Sequence, residues 1–173
     1  KPSSGFIKFD SIKIDNDIDQ RDSIRSKKIG IIYQDKNLLS DFTTLENIYL
    51  ARLALNDNKK KAILDAKKII KKVGLENRLN HFPSELSGGE SQRVAISRAL
   101  INSPDIILAD EPTGNLDHKN ARDTFKLLFS FKNKKRIIVF ATHNRYFADM
   151  SDCKLSLIDG KISAIDGRSK KEF

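Results

Sequence analysis

Apolar positions along this chain recur with two periods. Short runs rich in β-branched residues occur at 29–33, 106–109 and 136–141, and each predicts a strand. The run Ile106-Ile107-Leu108-Ala109 has no polar alternation, which suits a strand covered on both faces. Helical spacing links Leu45, Ile48, Tyr49 and Leu53, then Ala62, Ile63, Ala66, Ile69, Ile70 and Val73, with lysines on the opposite side. It returns at Val94, Ala95, Ile96, Ala99 and Leu100, and at Ala121, Phe125, Leu128 and Phe129.

The punctuation agrees with these elements. Thr43 with Glu46, and Ser87 with Glu90, match a reciprocal helix-capping pattern, in which each side chain satisfies the other's orphan N–H. Asn58 and Asp117 are further N-caps, and Gly74 stands where a helix would end in a left-handed residue. Residues 16–26 are polar with a short helix, 75–85 form a connector with Pro83, and 144–150 form another short helix. Residues 6–14 read as a hairpin broken at Asp10-Ser11, and Asp159-Gly160 is a two-residue turn signal between 154–159 and 161–165. Strands alternating with helices predict a sheet with a parallel centre. Gln34, Asp110-Glu111 and His143 each follow the end of an apolar strand, so parallel neighbours would gather them at one edge.

The densest chemistry lies in residues 86–117. Gly88 and Gly89 follow the Ser87 cap and leave the first-turn N–H groups uncovered, an arrangement that attracts phosphate. Asp110 and Glu111 emerge together from the next strand. One carboxylate can hold Mg2+ while its neighbour accepts a proton from water.

Composition narrows the classes. With 173 residues the chain can bury one real core, and 39% hydrophobic with 32% charged residues suits a globular protein. No stretch approaches the roughly 18 apolar residues of a membrane-spanning helix, and residues 1–10 lack the apolar core of a signal peptide. Cys153 is the only cysteine, so no internal disulfide is available, as in a reducing cytosol. The three histidines show no metal-ligand spacing. A net charge of +9 raises nucleic acid or an anionic membrane as partners. The lysines of residues 59–72 instead read as the solvated face of a helix, and no aromatic residues interleave with them as a base-stacking platform.

Leu86-Ser87-Gly88-Gly89-Glu90, the strand into Asp110-Glu111-Pro112 and Gly114-Asn115-Leu116-Asp117 resemble the signature motif, Walker B strand and D-loop of the ATP-binding-cassette (ABC) ATPases. Within that family the chain is most similar to the ATPase subunit of the bacterial lipoprotein-releasing system, through Ile32-Tyr33-Gln34, Asp41-Phe42-Thr43, Leu45-Glu46-Asn47 and residues 83–90. The macrolide-exporter and cell-division ATPases share much of this.

The resemblance implies an α/β, P-loop NTPase-like ABC ATPase domain, with a mainly parallel sheet, a helical subdomain and a C-terminal β-hairpin. It implies three parts: a partial N-terminal β region with the Q-loop (1–43), a helical subdomain ending in the signature helix (44–100), and the Walker B, D-loop and H-loop part (101–173). ATP and Mg2+ are the implied cofactors. Glu111 would be the general base, Asp110 a Mg2+ ligand through water, Gln34 the Q-loop residue at Mg2+ or the attacking water, and His143 the switch residue at the γ-phosphate. Ser87, Gly88, Gly89 and Glu90 would contact ATP held by a second copy, and Asp117 would communicate across that dimer. Implied partners are membrane permease subunits and the second copy, at the cytoplasmic face of the bacterial inner membrane, with no nucleic acid.

Three departures accompany this resemblance. Glu90 stands where many relatives have Gln, and Asn144 follows His143 where Asp is usual. None of the eight glycines fits a phosphate loop G-x-x-x-x-G-K-S/T. The expectation is that this loop lies upstream of Lys1 and that the chain alone is inactive. A soluble non-transport ABC ATPase and a basic nucleic-acid-binding module remain as competing readings; strongly salt-dependent DNA affinity would favour the second.

Overall fold

The computed structural model describes residues 4–14, 18–55 and 57–167. Contacts divide the chain into two units, residues 1–140 and 141–173. In the first, strands β1 (Ile7–Phe9) and β2 (Ile12–Ile14) form an antiparallel hairpin. Its turn residues Asp10 and Ser11 both have positive φ, as a tight two-residue turn requires. Helix α1 (Ile18–Lys28) leads directly into β3 (Ile29–Ile32), and residues 16–17 of the polar stretch expected over 16–26 lie outside the described residues.

Three helices follow, each started by the side chain its sequence supplies. Helix α2 (Thr44–Leu53) has both halves of the Thr43–Glu46 capping box. Helix α3 (Lys59–Lys72) is capped by Asn58, whose side chain accepts from the N–H groups of Lys60 and Lys61. Gly74 beyond it has φ of +69°, the left-handed residue expected there. Two 3-10 turns at Glu76–Arg78 and Pro83–Glu85 then reach α4 (Gly88–Leu100). The apolar faces of these helices meet in one core around Ile48, Ala62, Ala66, Ile70, Val94 and Ile101. All seven lysines of α3 are exposed, as its charge pattern predicts.

The remaining elements of this unit are β4 (Ile106–Asp110), α5 (His118–Ser130) and β5 (Ile137–Ala141). The sheet order is β3-β4-β5, with β3 and β4 parallel and Ile32 opposite Ala109. One face carries Ile32, Ile107 and Ala109, with Ile138 and Phe140 packed beside them, and it is buried by Ile96, Ala99 and Leu100 of α4 and Leu128 of α5. Gly30 lies so close to α4 that a side chain there would collide with the Ala99 carbonyl. Phe125 and Phe140 add an edge-to-face pair at 5.2 Å.

The expectation of a strand covered on both faces does not hold. Leu108, Ile137 and Val139 point to the other side and are 39%, 60% and 49% exposed. The apolar run is continuous, but among the described residues the helices that bury it, α4 and α5, lie against one face.

The second unit contains α6 (Arg145–Ala148) and the antiparallel hairpin β6 (Cys153–Ile158) with β7 (Lys161–Gly167). Asp159 and Gly160 both take positive φ in its turn. Lys154 bridges Asp149 at 2.9 Å and Asp166 at 3.5 Å, and the bond to Asp149 raises its pKa.

Candidate functional site

Equal offsets past a parallel pair bring Gln34 and Glu111 together. Ile32 and Ala109 are register partners, and each of the two polar residues lies two positions further on. Gly114 measures the convergence. A Cβ on it would lie 3.4 Å from Glu111 Cβ and 3.8 Å from Gln34 Nε2. Asp110 ends β4 and is exposed.

Glu111 has φ of +39°. A non-glycine residue in the left-handed region costs about 1–2 kcal/mol. Its carbonyl accepts from Gly114 N–H at 3.0 Å, which closes the turn. Such strain clusters where a side chain must be aimed.

The turn at Ser87 is held from three sides. Ser87 Oγ accepts from Glu90 N–H at 3.3 Å, and Ser87 N–H donates to Glu90 Oε2 at 2.8 Å. Arg78 Nε donates to Glu90 Oε1 at 2.8 Å. The Ser87 N–H and then the Arg78 guanidinium hold the Glu90 carboxyl at a pKa of about 2. Both Glu90 oxygens are therefore engaged within the chain. Gly88 is exposed, but Gly89 is buried, so the first turn is uncovered on one side only.

Asp117 caps α5 by accepting from Lys119 and Asn120 N–H, each at 3.0 Å. The Asn120 side chain donates to the same carboxylate at 2.5 Å. These contacts, the Asn120 N–H first, lower the Asp117 pKa.

His143 follows β5 in the second unit and is exposed. Asn144 beside it caps α6, accepting from Tyr146 N–H at 3.0 Å. An aspartate oxygen would make the same bond.

Four supporting residues escape a reading by sequence pattern. Arg98 of α4 donates to the Asn37 carbonyl at 2.5 Å and the Lys36 carbonyl at 2.6 Å. Both carbonyls belong to left-handed residues just after Gln34. Burial lowers the Arg98 pKa. Buried Asn47 donates to the carbonyls of Leu39, Phe42 and Thr43 and accepts from Leu39 N–H, which fixes the loop into α2. Arg78 and Asn120 complete the set. Only Asn120 leaves a local trace, an amide one helical turn after a capping Asp.

The donor set suits a magnesium nucleotide. Among the described residues no group of three or more His, Cys, Asp and Glu gathers into a metal site. Mg2+ does not need one: it takes one or two carboxylates and fills its octahedron with water and phosphate oxygens. Asp110, exposed at the end of β4 and next to Glu111 in the chain, offers such a sparse oxygen set.

A profile of the family described as ABC transporter matches residues 1–114. The chain belongs to the ABC transporter family. It is 47% identical over 146 residues to the lipoprotein-releasing system ATP-binding protein LolD 2 of Chlorobaculum tepidum, a match spanning 84% of this chain and 59% of that one. It is 42% identical over 164 residues to the LolD of Cytophaga hutchinsonii, spanning 94% and 75%. The chain thus spans about three-fifths to three-quarters of the length of these relatives. Among solved structures, the dimeric ATP-binding cassette MJ0796 bound to ADP and Pi superposes with a TM-score of 0.85 at 36% identity, covering 98% of this chain and 76% of that one. The fold is that of an ABC ATPase cassette, and within the family the chain is most like LolD.

Proposed function

We propose that this ABC family member is the ATP-binding and ATP-hydrolysing subunit of a transporter that releases lipoproteins from the bacterial inner membrane. The convergence of Gln34 and Glu111 at one sheet edge carries the hydrolytic part of this reading. The relatives called lipoprotein-releasing system ATP-binding proteins support the transport part. No described helix is long and apolar enough to cross a membrane, so the chain would meet the bilayer through permease subunits. It would sit at the cytoplasmic face and work as a homodimer. Functionally it would divide into a β region with Gln34 (1–43), a helical subdomain (44–100) and the part bearing Asp110, Glu111, Asp117 and His143 (101–173).

The chemistry follows from the residues. Glu111, left-handed in backbone and one residue past the end of β4, accepts a proton from the water that attacks the γ-phosphate. Gln34 orients that water from the neighbouring strand. Ser87, Gly88 and Gly89 present helix N–H groups to the γ-phosphate of ATP held by the second copy, with Glu90 fixing their turn. His143 would hydrogen-bond the γ-phosphate of the ATP on which Glu111 acts, and Asp117 would face the partner. Asp110 would hold Mg2+, which offsets charge on the phosphates.

The test is Mg-ATP binding and phosphate release, by this chain and by the chain with a phosphate-loop segment supplied ahead of it. The first should do neither and the second both. In the second, Glu111→Gln should keep ATP binding and lower turnover by roughly 10²–10⁴-fold. Unchanged turnover in that variant would overturn the assignment.

A further inference from the structure

The two glycines of the Ser87 turn meet different neighbours, and both neighbours come from the segment around Asp117. A Cβ on Gly88 would lie 3.4 Å from Leu116 Cδ2, an ordinary contact. A Cβ on Gly89 would lie 2.8 Å from Asn120 Oδ1 and 3.1 Å from its Cγ, closer than packed atoms approach. Asn120 cannot swing away freely, because its Nδ2 donates to Asp117 Oδ2 at 2.5 Å. A carboxylate only accepts, so the amide nitrogen must face Asp117 and the amide oxygen must face Gly89. The backbone of Asn120 is tied to the same carboxylate at 3.0 Å.

We propose that Asn120 is a positioning residue that joins the Ser87 turn to the Asp117 cap as one rigid piece, and that Asn120, rather than nucleotide, requires glycine at position 89. Its functional half rests on the reading above. That reading presents the signature turn to the partner copy's ATP and the Asp117 stretch to the partner itself, so their relative placement would set how well the two engage the second copy together. The steric half stands on this chain alone.

A melting cycle tests the steric half without nucleotide. Gly88→Ala should leave the melting temperature within about 2 °C. Gly89→Ala should lower it by about 3–9 °C, the cost of overpacking in a domain of this size. In an Asn120→Ala background the sign should change: the colliding oxygen is gone, residue 120 keeps a Cβ at an ordinary 3.5 Å, and alanine is the better helix former. Gly89→Ala as harmless as Gly88→Ala in the native background, or equally harmful with and without Asn120, would overturn the proposal.

The positioning half is read in the chain carrying a phosphate-loop segment. Asn120→Asp keeps the shape but sets two carboxylates against each other. Its ATP turnover relative to native should fall at neutral pH and recover as the pH drops and the pair shares a proton. A flat ratio with pH would overturn this half. If no version hydrolyses ATP, the reading of the previous subsection fails while the melting cycle still decides the steric claim.

Discussion

In the stretch from Thr44 to Leu100, polar and apolar positions separate by helical period. Each helix begins with its own side-chain acceptor, from Thr43, Asn58 or Ser87. In the β3-β4-β5 sheet no such separation exists. Ile107 and Ala109 are buried while Leu108 between them is 39% exposed, although all three are apolar. A helix with one apolar stripe announces which side is covered. A strand apolar on both sides announces only that it can be covered, and the identity of the covering element lies elsewhere in the chain.

This contrast can be broken most directly in the sheet. Ile107→Ala should cost about 2–5 kcal/mol by urea unfolding, since the residue is fully buried against α4 and α5. Ile137→Ala, on the open face, should cost less than about 1 kcal/mol. Equal costs would mean that something covers the second face in solution.

A smaller effect tests the helical side. Asn47→Ala should cost about 2–3 kcal/mol, because it strands the Leu39 N–H and three carbonyls beneath α2. A neutral result would mean that water replaces the side chain and that the loop before α2 is looser than its bonds imply.

The smallest effect depends on pH. Glu90 has a folded pKa of about 2, below its ordinary 4.5, so its contribution is fully present above pH 4.5 and is lost as the pH falls toward 2. The difference in melting temperature between the native chain and Glu90→Gln should be constant above about pH 5 and shrink below it. A difference independent of pH would assign the cap to shape alone.

These results bear on what the sequence makes legible. Caps, turns and strand ends are local, and the Thr43–Glu46 and Ser87–Glu90 boxes, the turns at Asp10-Ser11 and Asp159-Gly160, and the shared offset of Gln34 and Glu111 follow from short windows. What stays hidden is coupling across space. Arg98 reaches carbonyls 61 and 62 residues earlier, and no periodicity marks such a pair. The left-handed backbone of Glu111 is equally hidden, because glutamate carries no preference for it. Gly89 was legible as a glycine beside a cap, but the atom that excludes a side chain there belongs to Asn120, on another helix.

The grip of Arg98 has a mechanical consequence. Helix α4 holds the Ser87 turn at its first residue and the loop after Gln34 near its last turn, about 15 Å apart at 1.5 Å per residue. A helix of that length packed on both the sheet and α2 is stiff. It is a fixed spacer: one continuous helix backbone sets the distance from the carbonyls of Lys36 and Asn37 to the turn at Gly88 and Gly89.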